Sequence, residues 1–160
     1  MHHSDFNRIK VNSLNEKKYY ISFLNFFKKV EKRFKIKFVI SPHPRGNIKM
    51  LKKYFGQRVS VKPTINLVKY SEFVFSHYSS AADYAFLFQK PLIAITNNEL
   101  MQCQFRRKAI TFFSQRTNSR LINISKEDFN SDDLSFDAKS YKKYIENYIK
   151  FNKFDKLRVD

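Results

Sequence analysis

Between Asn15 and Phe34 the apolar positions Tyr20, Phe23, Leu24, Phe27, Val30 and Phe34 recur three or four residues apart, the spacing of a single helical stripe. Lys17, Lys18, Lys28, Lys29, Lys32 and Arg33 fall mostly off that stripe, which predicts a helix with a basic outer side. The β-branched and aromatic run Ile36-Lys37-Phe38-Val39-Ile40 predicts a strand, stopped by Ser41-Pro42-His43-Pro44. A short helix is predicted from Asn47 to Phe55 with Gly56 as its C-terminal cap, then a short strand over Arg58 to Val61. Thr64, after Pro63, is expected to cap a helix ending at Tyr70. Glu72 to Ser76 reads as a strand, and Ser79 or Ser80 as the cap of a helix through Phe88 that Lys90-Pro91 terminates. Leu92 to Thr96 is a strand, Glu99 to Ser114 a longer helix, and Leu121 to Ile124 a last strand. A closing helix, Asp137 to Phe151, carries the stripe Tyr141, Tyr144, Ile145, Tyr148 and Ile149.

Strand and helix thus alternate about five times, a pattern that builds a mostly parallel sheet with helices on both faces. The fold class expected is α/β, a Rossmann-like three-layer domain. At 160 residues the chain suffices for one such domain, taken as 15–160, after a polar arm or linker remnant at 1–14. Sheets of this kind bind ligands outside the carboxyl ends of their strands.

Charge adds a second feature. The net charge is +17, and residues 1–62 hold 16 Lys/Arg against 3 acids. Such an excess attracts polyanions, whether nucleic acid, anionic lipid or a phosphate-bearing ligand, although a lysine-rich solvated surface accounts for it as well. A basic amphipathic helix can lie on a membrane, but more often packs on its own sheet. Cys103 is the single cysteine, so an internal disulfide is excluded and a reducing, cytoplasmic setting is expected. No apolar run approaches the ~20 residues of a membrane span. His2, His3, His43 and His77 lack ligand spacing, and no protein-only metal site is expected.

Two loops carry the chemistry. In Ser41-Pro42-His43-Pro44-Arg45-Gly46-Asn47 the prolines restrain His43, which can donate to a phosphate oxygen, and Arg45 can pair with phosphate in bidentate fashion. A rigid turn whose histidine merely caps backbone groups is the competing reading. In Ser76-His77-Tyr78-Ser79-Ser80-Ala81-Ala82-Asp83-Tyr84-Ala85 a strand end runs into a helix, where two hydroxyls and N-terminal N–H groups make an anion site. An ordinary serine cap is the alternative there.

His43-Pro44 after a strand, Ser79-Ser80 opening a helix and Lys90-Pro91 before the next strand together resemble the carboxy-terminal, donor-binding half of GT-B glycosyltransferases. More narrowly, it is similar to the group containing bacterial polysialyltransferases and CDP-glycerol glycerophosphotransferases, over roughly His43 to Thr96. That resemblance implies a nucleotide-linked donor (CMP-, CDP- or UDP-linked) and a place in capsule, lipopolysaccharide or other surface-polysaccharide synthesis. It implies that His43, with Pro44 and Arg45 beside it, contacts the donor phosphate and protonates the leaving group, while Ser79 and Ser80 bind that phosphate. His77 would face the same ligand, and Val61, Pro63 and Thr64 fall where base or ribose is held. The acidic general base of such enzymes lies in an amino-terminal acceptor domain that has no counterpart here. An acceptor-binding domain or partner chain is therefore expected, with the inner face of the plasma membrane as a possible peripheral location. Asp83 is a carboxylate near the site whose helical position favours packing or capping.

With two glycines and neither GxGxxG nor P-loop, dinucleotide and NTP-hydrolase fingerprints are missing. Ser79 lacks the glycines of a hydrolase nucleophile elbow. A basic nucleic-acid-binding protein and a nucleotide-sugar epimerase-like enzyme remain as alternatives.

Overall fold

The structure, a computed structural model, describes residues 14–149. The arm assigned to 1–14, including His2 and His3, lies outside these residues except for Leu14, as does the end of the helix expected to reach Phe151.

Asn15 starts the first helix by accepting the Lys18 amide on its side chain at 3.0 Å. Helix α1, Glu16–Phe34, buries Phe23, Phe26, Phe27 and Val30 and ends at Lys35 in the left-handed conformation. The two strands expected next shrink to a single parallel bridge, Ile40 to Val59. Ile40 donates to Arg58 O at 2.7 Å and its own carbonyl accepts from Ser60 at 3.0 Å. The cause lies in contacts that Phe38 makes with other elements. Phe38 N–H is taken by the Glu31 carboxylate of α1 at 3.0 Å rather than by a neighbouring strand. The Phe38 ring is meanwhile sandwiched, stacked on Phe27 at 4.5 Å and on Phe75 at 5.5 Å. Helix α2, Ile48–Phe55, follows, capped by Asn47, with Gly56 at φ 59° as its C-terminal stop.

Helix α3, Thr64–Lys69, leads into β1, Val74–Ser76. A 3-10 turn, Ser80–Ala82, runs into α4, Asp83–Leu87, and then β2, Leu92–Thr96. The single helix expected over Glu99 to Ser114 is two, α5 (Asn98–Gln102) and α6 (Gln104–Thr117). They divide at buried Cys103, whose backbone is extended. Strand β3, Leu121–Asn123, and helix α7, Ala138–Tyr144, complete the order, with α7 continuing into a π-helical turn at Ile145–Ile149. The strands are parallel in the order β1-β2-β3, with Val74 beside Leu92 and Ala94 beside Leu121.

All five residues of β2 are buried, as a central parallel strand requires. Alternation along it sorts the core into two. Ile93 and Ile95 pack with Phe23, Phe26, Phe27, Val30 and Phe55, which puts α1 and α2 on one face. Leu92 and Ala94 pack with Val68, Ala85, Phe86, Tyr141 and Tyr144, which puts α3, α4 and α7 on the other. The architecture is therefore three-layered α/β around a small open parallel sheet, a Rossmann-like arrangement with three strands in place of the five expected. Among the described residues no helix is long and apolar enough to cross a membrane.

Candidate functional site at the carboxyl edge of the sheet

Strand β1 ends at buried Ser76, and the chain turns through His77 and Tyr78 to exposed Ser79 and Ser80. Ser76 Oγ accepts the Ser79 N–H at 3.2 Å, and Ser79 Oγ accepts the Ala81 N–H at 3.2 Å. Ser79 is thus the cap expected, though of a 3-10 turn. The amides expected to cradle an anion are instead largely used within the turn, since Ala82 N–H also bonds Ser79 O at 3.1 Å. What the turn presents outward is two hydroxyls. Ser79, already accepting, keeps its O–H as a donor.

His77 departs from its expected role. Its Nδ1 lies 2.7 Å from Ile95 O and its Nε2 3.0 Å from the Tyr19 hydroxyl. Since Ile95 O can only accept, Nδ1 carries the hydrogen and Nε2 accepts from tyrosine. Phe23 abuts the ring edge-on at 5.0 Å. Burial holds the imidazole below its ordinary pKa and raises that of the Tyr19 phenol. Both nitrogens are committed to the protein, so His77 ties α1 to β1 and β2 rather than facing a ligand.

His43 is exposed on the turn after Ile40. Its carbonyl accepts the Gly46 N–H at 2.7 Å and its Nδ1 accepts the Arg45 N–H at 3.1 Å. Gly46 lets the turn close tightly, since a Cβ there would sit 3.0 Å from His43 O and push the two apart by a few tenths of an ångström. The backbone-capping role and an outward role coexist, because with Nδ1 accepting it is Nε2 that bears the hydrogen and faces solvent. Pro44 and Arg45 are exposed alongside. Thr64 is not the cap expected. Pro63 precedes the helix without a side-chain bond, and Thr64 Oγ1 pairs with Ser41 Oγ at 2.6 Å. The structure therefore brings Thr64 to Ser41, two residues before His43, and Ser76 to Ser79, while taking His77 inward. Val61 and Pro63 are exposed beside this edge of α3. Asp83 accepts the Tyr144 hydroxyl at 2.9 Å, a packing role.

Sequence reasoning missed Tyr19, Ser22 and Asn97. Asn97, at the end of β2 and fully buried, donates to Ser22 Oγ at 2.7 Å and caps α5 through the Leu100 amide at 2.9 Å. With Tyr19 on His77, this brings the first turns of α1 to the carboxyl ends of β1 and β2. The only legible signal was an asparagine directly after an apolar strand.

A cleft of about 450 Å³ lies at the opposite edge of the sheet. Leu92 at the start of β2 and Arg120 before β3 line it, with Asp132, Asp133, Phe136 and Tyr141. The buried Asp133 carboxylate is bonded there by Arg120. Among the described residues no group of three or more His, Cys, Asp or Glu is placed to hold a metal ion. Comparison with protein-family models, with curated proteins and with solved structures finds no match for this chain.

Proposed function

We propose that the chain is the donor-binding half of a GT-B type glycosyltransferase, taking a nucleotide-linked sugar or polyol for surface-polysaccharide synthesis. One observation carries the reading. At the carboxyl edge of a parallel sheet, where such folds bind ligands, β1 runs directly into a helical turn that presents the Ser79 and Ser80 hydroxyls outward. In this reading the two hydroxyls donate to the donor phosphate, and His43 donates its Nε2 hydrogen to an oxygen on which charge develops as the nucleotide departs. Arg45 adds a fixed positive charge, and the Ser41–Thr64 pair holds the neighbouring turn in place. A carboxylate base and the acceptor come from a further domain or chain.

Titration of the protein with CMP, CDP, UDP and GDP tests this. Saturable binding of one nucleotide is expected, weakened about tenfold in His43→Ala and in Ser80→Ala, the loss of one charge-assisted hydrogen bond. Neither side chain is buried, so both variants keep their fold. A folded sample that binds none of the four nucleotides overturns the reading.

A further inference from the structure

We infer that the α1–α2 layer is a docking surface for an anionic phospholipid bilayer. Both helices cover the Ile93/Ile95 face of the sheet and lock together, Tyr20 stacked on Tyr54 at 4.5 Å and Phe27 beside Phe55 at 5.7 Å. With those positions used inward, α1 turns Lys17, Lys28 and Lys32 to solvent and α2 turns Lys49, Lys52 and Lys53, all exposed. The two helices hold only two carboxylates, Glu16 and Glu31. Glu31 is occupied by Arg58 at 2.5 Å. Among the described residues the ion pairs made by α1 are Glu31–Arg58 and Lys29–Asp128, and none involves these six lysines. Asp132, Asp133 and Asp137 gather instead at the cleft lined by Leu92 and Tyr141 of the second core.

The chemistry of the layer favours a lipid surface over nucleic acid. Its outward cations are mostly lysines, point charges suited to headgroup phosphates, while Arg33 gives one N–H to Phe129 O and Arg58 is held by Glu31. Its tyrosines stack on each other rather than offering a face to a base. Ile21 and Ile48 stand exposed among the lysines, at 39% and 37%, and suit shallow contact with a headgroup layer. The apolar stripe of α1 is already buried in the core, so attachment is electrostatic, reversible and screened by salt.

This inference does not depend on the donor reading. Its test is co-sedimentation of the full chain with vesicles of phosphatidylcholine alone and of phosphatidylcholine mixed with phosphatidylglycerol, at low and high salt. Circular dichroism confirms the fold of each sample. The expected result is binding to the phosphatidylglycerol vesicles only, abolished by high salt. A Lys17→Gln/Lys28→Gln/Lys49→Gln variant should bind about a hundredfold more weakly, and a Lys139→Gln/Lys142→Gln/Lys143→Gln variant of equal charge should bind as the parent does. Equal loss in both variants, absence of vesicle binding by a folded sample, or tighter binding to a DNA duplex or RNA hairpin at the same salt overturns it.

Discussion

The Tyr19 hydroxyl donates to His77 Nε2 at 3.0 Å, joining the first turn of α1 to the end of β1 across 58 residues of sequence. The same imidazole donates from Nδ1 to Ile95 O of the central strand. One neutral ring therefore holds three elements, and protonation of Nε2 removes its capacity to accept from Tyr19.

Because burial holds His77 below its ordinary value of 6.5, the unfolded chain binds a proton that the folded chain refuses once pH drops through that value. Stability is expected to be level above about pH 7.5 and to decline as pH falls below about 6.5. Urea unfolding across this range measures it. His77→Gln should be less stable at high pH but lose the dependence in this window. An unchanged pH slope in that variant contradicts the assignment. Glu31, whose carboxylate is held below its usual range by the Arg58 hydrogen bond, contributes its own loss only in more acidic solution.

Asn97→Leu removes a buried bridge as well as the α5 cap, leaving Ser22 Oγ with its bond to Tyr19 O alone. A cost of about 2–3 kcal/mol is expected in denaturant unfolding, against about 1 kcal/mol had the residue served only as a cap. Ser22→Ala removes the bridge together with the Ser22 Oγ–Tyr19 O bond and leaves the α5 cap in place for comparison.

Phe86 is fully buried and lies flat on Tyr144, centroids 3.8 Å apart and planes 13° from parallel. Phe86→Ala opens a void between α4 and α7 and is expected to cost about 3–5 kcal/mol. Calorimetry compares it with Phe112→Ala, an exposed position whose loss should be nearly neutral.

Gly56 occupies φ 59°, ψ −130°, a conformation that glycine alone tolerates well, and nothing lies within 4 Å of where its Cβ would be. Gly56→Ala isolates backbone strain from crowding. The expected cost is about 1–3 kcal/mol with the α2 fold otherwise retained.

Much of the secondary structure was legible because it depends on local signals. The three-to-four spacing from Tyr20 to Phe34, the Gly56 stop of α2, and the apolar run Leu92 to Thr96 each specify an element from neighbours in the chain. The strand expected at Ile36–Ile40 failed for a nonlocal reason. Its composition suits a strand, but Glu31 and the Phe27 and Phe75 rings hold Phe38 in place instead. The helix break at Cys103 was equally hidden, since neither proline nor glycine marks it.

The site was legible in part. Ser79 as a cap and His43 on a constrained turn follow from residue type and position after a strand. That His77 points inward does not, because its partners Tyr19 and Ile95 lie far from it in sequence and histidine suits a ligand contact as well as a buried hydrogen bond.

By itself the sequence determined the alternation of helix and strand, the α/β class and the concentration of positive charge in its first third, since periodicity and charge are properties of the order of residues. Tertiary structure decided how many strands pair, which lysines share a face, that Thr64 meets Ser41, and that Tyr19 and Asn97 fasten α1 to the carboxyl edge. Those outcomes rest on hydrogen bonds and packing between residues distant in the chain, where competing partners are settled only once the elements are assembled.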